Sequence, residues 1–270
     1  MPSYLITGVN RGIGWGFLQH LSADTNNTVI GTVRNKAATE KRVAEELDGR
    51  ANIHILEVEL TDYESIKASV GEVTKLTGGK LDYLIANAGF ISDWSSVFSL
   101  GKLGQSPKEL EDDLIYSFKV NAVGPVHLFN LYLPLVLKGD AKKVIAITSG
   151  MADLDLINDY RIDVAGPYSI SKGALNVAVS KFHAQYADQG VLFMGICPGT
   201  VETGHYDDLS EEAQDGAMKL TEKFNKYAPG TKPKTPEAAV VKVLEVVYGS
   251  SLENGRGGAY ISHLGTKRWL

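Results

Sequence analysis

Ser3-Tyr4-Leu5-Ile6-Thr7-Gly8-Val9-Asn10-Arg11-Gly12-Ile13-Gly14 passes from a short apolar run straight into a turn punctuated by glycines, and an amphipathic stretch follows at once. A strand that ends this way and opens a helix leaves the first-turn N–H groups aimed at whatever lies beyond the strand, which favours an anion. Gly8, Gly12 and Gly14 let the backbone turn sharply and come close to a pyrophosphate. With Asn10, Arg11 and Ile13 they make a candidate dinucleotide cradle. Because a ligand-free strand-to-helix turn has the same glycine spacing, the rest of the chain has to decide.

Outward from this turn the same rhythm repeats. Apolar, β-branched runs over 4–7, 28–33, 53–58, 81–86, 143–148, 192–197 and 259–262 alternate with amphipathic stretches over 13–22, 36–47, 63–77, 107–137, 167–186, 210–227 and 236–248. Parallel strands need crossovers, and crossovers are right-handed, so this order predicts an α/β fold. The expected form is a doubly wound, parallel, seven-stranded Rossmann-type sheet with helices on both faces and ligands at the carboxyl ends of the strands. The expected organisation is a single domain over 1–270, with substrate loops at about 90–106, 150–167 and 201–235. Connections this long at strand ends usually cover a ligand.

The overall composition narrows the function. A net charge of -5 speaks against nucleic acid, whose phosphates are bound by clustered Lys and Arg. Cys197 is the single cysteine, which excludes an internal disulfide, and no Cys/His cluster has the spacing of a metal site. The longest apolar run, 128–137, is interrupted by Asn130 and Pro134 and falls short of the ~20 residues a membrane span needs. No charged leader precedes the first strand. The expectation is a cytoplasmic chain with no membrane or nucleic-acid partner, acting on a small molecule.

Charge near an adenosine ribose separates the two nicotinamide dinucleotides: a carboxylate after the second strand suits a free 2′-hydroxyl, and arginine suits a 2′-phosphate. The second strand ends Thr32-Val33-Arg34-Asn35, and Arg11 lies within the glycine turn. Two cations in these places favour NADPH/NADP+ as the cofactor.

Tyr168-Ser169-Ile170-Ser171-Lys172 places a phenol and an ammonium one helical turn apart on the same face. Free tyrosine holds its proton to a pKa of about 10, and a neighbouring ammonium lowers that toward the working range. Ser149, at the end of the fifth strand, is placed to hydrogen-bond a carbonyl oxygen that Tyr168 would protonate.

With these motifs in order, the chain resembles the short-chain dehydrogenase/reductases over essentially its whole length. Gly8, Gly12 and Gly14 are similar to that family's cofactor turn, and Asn87-Ala88-Gly89 to its segment beside the adenine ribose. Ser149, Tyr168 and Lys172 are similar to its catalytic set, and Asn121 to its helix asparagine that links the lysine to solvent. Pro198-Gly199-Thr200-Val201-Glu202-Thr203 resembles the segment that contacts the nicotinamide. The resemblance implies that Lys172 also binds the nicotinamide ribose and Thr203 the carboxamide, with Pro198, Gly199 and Val201 alongside.

Three departures stand out. Glu59 replaces the family's usual Asp, which moves the expected adenine contact to Asp62 or the Leu60 amide; Ala86 precedes Asn87; and an insertion at 151–166 separates Ser149 from Tyr168. That insertion is expected to form a wall of the substrate pocket.

Within the family, Asn158-Asp159-Tyr160, the pairing of Ser171-Lys172 with Lys181-Phe182-His183, and the glycine-rich approach to Tyr260-Ile261 resemble fungal norsolorinic acid ketoreductase-like and bacterial C-factor-like reductases. This implies a ketone of secondary-metabolite or polyketide-like size. The expected substrate walls are Phe90, Trp94, Met151, Tyr160, His205 and Tyr206, since aromatic walls suit a flat carbonyl compound. The stretches 107–137 and 167–186 are apolar over wide faces, and the resemblance implies that they pair in a homodimer or homotetramer. The expected activity is an NADPH-dependent carbonyl reductase with Tyr168 as proton donor. An alcohol dehydrogenase running in reverse, a C=N reductase or cyclase, and a non-catalytic NADP(H)-binding sensor stay open.

Overall fold

A computed structural model describes residues 1–204 and 210–270. Seven strands, β1 (Ser3–Thr7), β2 (Thr28–Val33), β3 (Ile53–Glu57), β4 (Tyr83–Ala86), β5 (Lys143–Ile147), β6 (Leu192–Cys197) and β7 (Tyr260–Ser262), form one sheet in the order β3-β2-β1-β4-β5-β6-β7. Every pairing is parallel. The α/β doubly wound sheet expected from the alternation is therefore the observed one, with strand ends within two residues of expectation.

Because the sheet is covered on both sides, successive strand residues serve two cores. Leu5 faces one with Ile30 and Leu84, whereas Tyr4 and Ile6 face the other with Val29 and Ile85. The first core is closed by α3 (Tyr63–Thr77), α6 (Gly124–Val136) and α8 (Gly166–Tyr186), through Ile66, Phe129 and Leu175 among others. The second is closed by α1 (Gly12–Ser22) and α10 (Pro236–Tyr248), through Phe17, Leu18, Val240 and Leu244. On the outer edge of β2 and β3, α2 (Lys36–Glu46) buries only Thr39 and carries its charges outward. Strand order reverses between β1 and β4, which opens a crevice at their carboxyl ends, the place where such sheets hold ligands.

The single helix expected over 107–137 is instead α5 (Pro107–Phe118), a π-helical turn over Lys119–Val123, and α6. Pro125 has no N–H to return to the preceding turn, and a widened turn absorbs the break. The irregular stretches also carry local structure. A one-turn helix α4 (Leu100–Leu103) follows β4, α7 (Leu154–Tyr160) occupies the 151–166 insertion, and α9 (Glu211–Tyr227) follows β6. A bridge between Ser99 and Val164 ties the first two together. The last segment returns across the carboxyl side of the sheet, where buried Trp269 joins Leu156, Ile162, Cys197 and Leu220 in a third apolar cluster. No described helix is long and apolar enough to cross a membrane.

Candidate active site

The crevice is a cavity of about 650 Å³ with two chemically different ends. One end begins at the glycine turn. Gly8 and Gly12 have φ of +74° and +55°, a region open to glycine at little cost. A Cβ on Gly8 would lie 2.9 Å from Ala88 and one on Gly14 would lie 2.0 Å from the Gly8 carbonyl oxygen, so the turn closes onto β4 only without side chains. Arg11 caps α1 in extended conformation with no side-chain hydrogen bond, leaving the first-turn amides without a side-chain acceptor. Asn87 Nδ2 donates to the Thr7 carbonyl at 2.9 Å, and Thr7 Oγ1 accepts from the Ala88 amide at 2.9 Å, which locks the β1 and β4 ends together. Bare amides at a helix N-terminus beside a cradle that any Cβ would fill fit a dinucleotide pyrophosphate.

Gly8, Asn10, Arg11, Gly12, Ile13, Gly14, Arg34, Leu60, Asn87, Ala88, Gly89, Pro198, Gly199, Val201 and Thr203 all line this cavity. Arg34 and Arg11 are exposed on its rim. Asp62 does not line it: its carboxylate accepts from the Glu64 amide at 3.0 Å and caps α3. Glu59 does line it, with Oε1 accepting from the Thr61 amide and hydroxyl.

Between this end and the apolar one stand Ser149, Tyr168 and Lys172. Ser149 follows β5 by two residues and caps a short 3₁₀ turn, Oγ accepting from the Met151 amide at 3.2 Å; its own proton is thus left to donate into the cavity. Tyr168 and Lys172 lie on the first turns of α8. Lys172 is 3% exposed, and Nζ donates at 3.0 Å to the carbonyl oxygen of Ile147, the last residue of β5 and two before Ser149. Burial lowers its pKa to about 8, with the nearby Cys197 opposing the fall.

Asn121 lies in the π-helical turn, fully buried and behind the wall. Its Oδ1 accepts from the Phe90 amide and its Nδ2 donates to the Phe90 carbonyl, both at 2.7 Å, and also to Ser171 Oγ at 2.9 Å. A Cβ on Gly89 would come within 3.2 Å of Lys172 Nζ and 3.3 Å of Asn121 Oδ1, so the absence of a side chain there leaves room for both groups.

Of the expected substrate walls, Phe90 and Met151 line the cavity. Trp94 and Tyr160 do not: Trp94 lies off the wall in the segment before α4, and Tyr160 packs edge-on against Tyr227 with centroids 5.0 Å apart, behind the lining. His205 and Tyr206 fall outside the described residues. The insertion contributes Met151, Leu156 and Ala165 to the lining.

Several lining or supporting residues were not expected. Tyr116 and Val120 come from the α5 side, Leu220 and Phe224 from α9, and Trp269 with Leu270 from the segment after β7. Asn176 accepts from Thr148 Oγ1 at 2.7 Å. Its spacing of four from Lys172 and eight from Tyr168 was a legible signal for the same helix face. Arg42 stacks over Trp15 at 3.9 Å and donates to the Asn10 carbonyl at 3.0 Å, a tertiary contact that sequence spacing does not announce. Among the described residues no group of acidic, His or Cys side chains could hold a metal ion.

The geometry agrees with what the chain is similar to. The short chain dehydrogenase family model matches residues 3–214. The short chain dehydrogenase virK of Hypocrea virens is 54% identical over 271 residues, with all of both chains covered. The short-chain dehydrogenase/reductase iacC of Pestalotiopsis fici is 47% identical, again over the whole of both. Among solved structures, NADPH-bound carbonyl reductase from chicken fatty liver matches with a TM-score of 0.78 at 26% identity, covering 98% of each chain. Carbonyl reductase Sniffer of D. melanogaster shares the fold with a TM-score of 0.77 and 98% coverage of each chain, at 21% identity. The chain belongs to the short-chain dehydrogenase/reductase family of oxidoreductases.

Proposed function

We propose that the protein is an NADPH-dependent ketone reductase in which Tyr168 donates the proton. The observation that carries this reading is the division of one cavity into a cationic, glycine-lined end and an apolar end, with Ser149, Tyr168 and Lys172 between them. The charged side chains on the described lining are Arg11, Arg34, Glu59 and Lys172. Beyond Tyr168 the wall includes Phe90, Ile91, Leu156, Leu220, Phe224 and Trp269, with Thr221 and Asn225 as polar groups among them, which suits an uncharged, largely apolar ketone of secondary-metabolite or polyketide-like size.

Gly8, Gly12 and the first-turn amides of α1 would hold the pyrophosphate, Arg11 and Arg34 a 2′-phosphate, and Lys172 with the Pro198–Thr203 segment the nicotinamide riboside. Bound there, the cofactor supplies a hydride to the carbonyl carbon. The Ser149 hydroxyl holds the carbonyl oxygen by a hydrogen bond and orients it toward Tyr168. Tyr168 gives its proton to that oxygen as negative charge develops, and the Lys172 ammonium stabilises the phenolate left behind. Asn121 acts on this centre indirectly, by fixing Phe90 and Ser171.

The same reading takes residues 1–270 as one domain in the cytoplasm. It also takes the faces that expose Ile115 and Phe118 on α5 and Ile170 and Val177 on α8 as the contact between copies in a homodimer or homotetramer. Steady-state NADPH oxidation against a panel of neutral aromatic, neutral aliphatic and carboxylate-bearing ketones, with NADH in parallel, tests the proposal. Turnover of neutral ketones with NADPH is expected, and NADPH binding without turnover of any ketone would overturn it.

A further inference from the structure

Ser149 is held from behind by a part of the chain more than a hundred residues away. The Tyr260 hydroxyl, on β7, donates to the Ser149 carbonyl oxygen at 2.5 Å. The side chain of Asn176, which carries the Tyr168–Lys172 face of α8 one turn further, interacts with that hydroxyl. Asn176 in turn accepts from Thr148 Oγ1, the residue before Ser149. Burial pushes the Tyr260 phenol up from its ordinary value, so it remains a donor across the usable pH range. The Tyr260 ring is stacked on Trp269, with centroids 4.4 Å apart and planes 25° apart. Trp269 is 2% exposed, its amide donates to the Tyr227 hydroxyl at 2.9 Å, and its side chain lies so close to Gly150 that a Cβ there would be 2.7 Å from Trp269 Cβ.

We infer that Tyr260 and Trp269 are positioning residues for Ser149: Tyr260 fixes the serine's backbone against α8, and Trp269 fixes Tyr260 while closing the apolar end of the cavity. The inference rests on the reductase reading above. Its physical basis is that β5 ends at Ile147 and the last ladder bond runs from the Thr148 amide to the Ile196 carbonyl at 2.9 Å, so residues 149 and 150 are not held by the strand ladder. The backbone at Ser149 is instead held by the Tyr260 hydroxyl, by the Ala152 amide, which shares the Ser149 carbonyl at 3.0 Å, and by the bond from the Gly150 amide to Cys197 Sγ at 3.2 Å; of these only the Tyr260 bond ties it to a distant segment through the carbonyl. A displacement of the serine by a fraction of an ångström is felt where the carbonyl oxygen must meet both Ser149 and Tyr168.

A double-mutant cycle separates positioning from general support of the fold. Tyr260→Phe keeps the ring and its stack and removes the hydrogen bond. It is expected to lower kcat about tenfold, a typical cost for displacing a group that must be oriented, with KM for NADPH unchanged. Introduced into Ser149→Ala, the same change is expected to alter the residual kcat by less than about twofold, because the group it positions is gone. Trp269→Ala, which removes the stacked ring, should reproduce the Tyr260→Phe loss and raise KM for bulky ketones. Equal losses from Tyr260→Phe in both backgrounds, or no loss in either, would overturn the inference.

Deuterium exchange needs no turnover and so separates this inference from the reductase reading. Tyr260→Phe is expected to speed exchange of the amides at 149–152 without changing those of β1 and β2. If the wild-type protein reduces no ketone, the reductase reading fails and this comparison still decides: faster exchange at 149–152 supports the positioning role, and unchanged exchange refutes it.

Discussion

The Lys172 ammonium nitrogen lies 5.8 Å from the centre of the Tyr168 ring. That distance is short enough for its charge to favour the phenolate, while the bond to Ile147 prevents it from folding back along the helix. Burial lowers the pKa of Lys172 to about 8, so the charge that supports Tyr168 is present at neutral pH and lost as pH rises through about 8. The rate of ketone reduction should therefore fall above pH 8. Lys172→Arg, whose guanidinium stays charged, should flatten that limb in whatever activity it keeps. A pH–rate profile of both proteins checks this.

The same group leaves a mark on stability. An unfolded chain holds the lysine proton to a pKa of about 10.4, and the folded one releases it near 8. Between those values the unfolded state binds more protons, so this group's contribution to stability rises with pH and its cost is greatest below pH 8. Lys172→Met removes the titration, and its melting temperature relative to wild type should fall as pH is raised from 8 to 10. Thermal melts at two pH values measure the difference.

Arg34 and Arg11 stand on the rim at the cationic end of the cavity. Arg34→Asp replaces a partner for a 2′-phosphate with one for a 2′-hydroxyl. It should raise KM for NADPH by roughly 10–100-fold, the worth of one charge-assisted hydrogen bond, and lower KM for NADH. Arg42→Ala, which frees the Asn10 carbonyl, should raise KM for NADPH to a smaller degree, about two- to fivefold, the worth of part of one hydrogen bond. Initial rates with both cofactors give these ratios.

Asn121 fills a buried position with three bonds, two of them to Phe90. Asn121→Ala leaves the Phe90 amide and carbonyl without these partners, which should lower stability by about 2–3 kcal/mol. It should also loosen the wall that carries Phe90, so that KM for ketones rises as well. Chemical denaturation read beside ketone kinetics tests both effects.

What was legible in the sequence follows from what each feature depends on. Strand positions such as those of Leu5, Ile30 and Val144 are set by local apolar runs that must be buried on both faces, and they were readable to within two residues. The glycine turn, Asn87, Ser149, Tyr168 and Lys172 were readable because each lies at a strand end or on one helical face. The widened turn at Lys119–Val123 was hidden because Pro125 signals a break without saying how the backbone absorbs it. Of the two expected adenine contacts, Leu60 lines the cavity and Asp62 does not, since an Asp two residues before Glu64 satisfies a helix N-terminus equally well, and here it does. Tyr260, Trp269 and Arg42 reach the site through tertiary return of distant segments, which no local pattern encodes.

In the proposed mechanism Tyr168 supplies the proton while the remainder of the cavity binds and orients. It is tested most directly by the kcat of Tyr168→Phe with NADPH and a ketone that the wild-type protein reduces, measured alongside NADPH affinity. A loss of roughly 10²–10⁴-fold in kcat is expected, the usual share of a general acid, with NADPH affinity changed by no more than about twofold. A variant that retains wild-type kcat would contradict it.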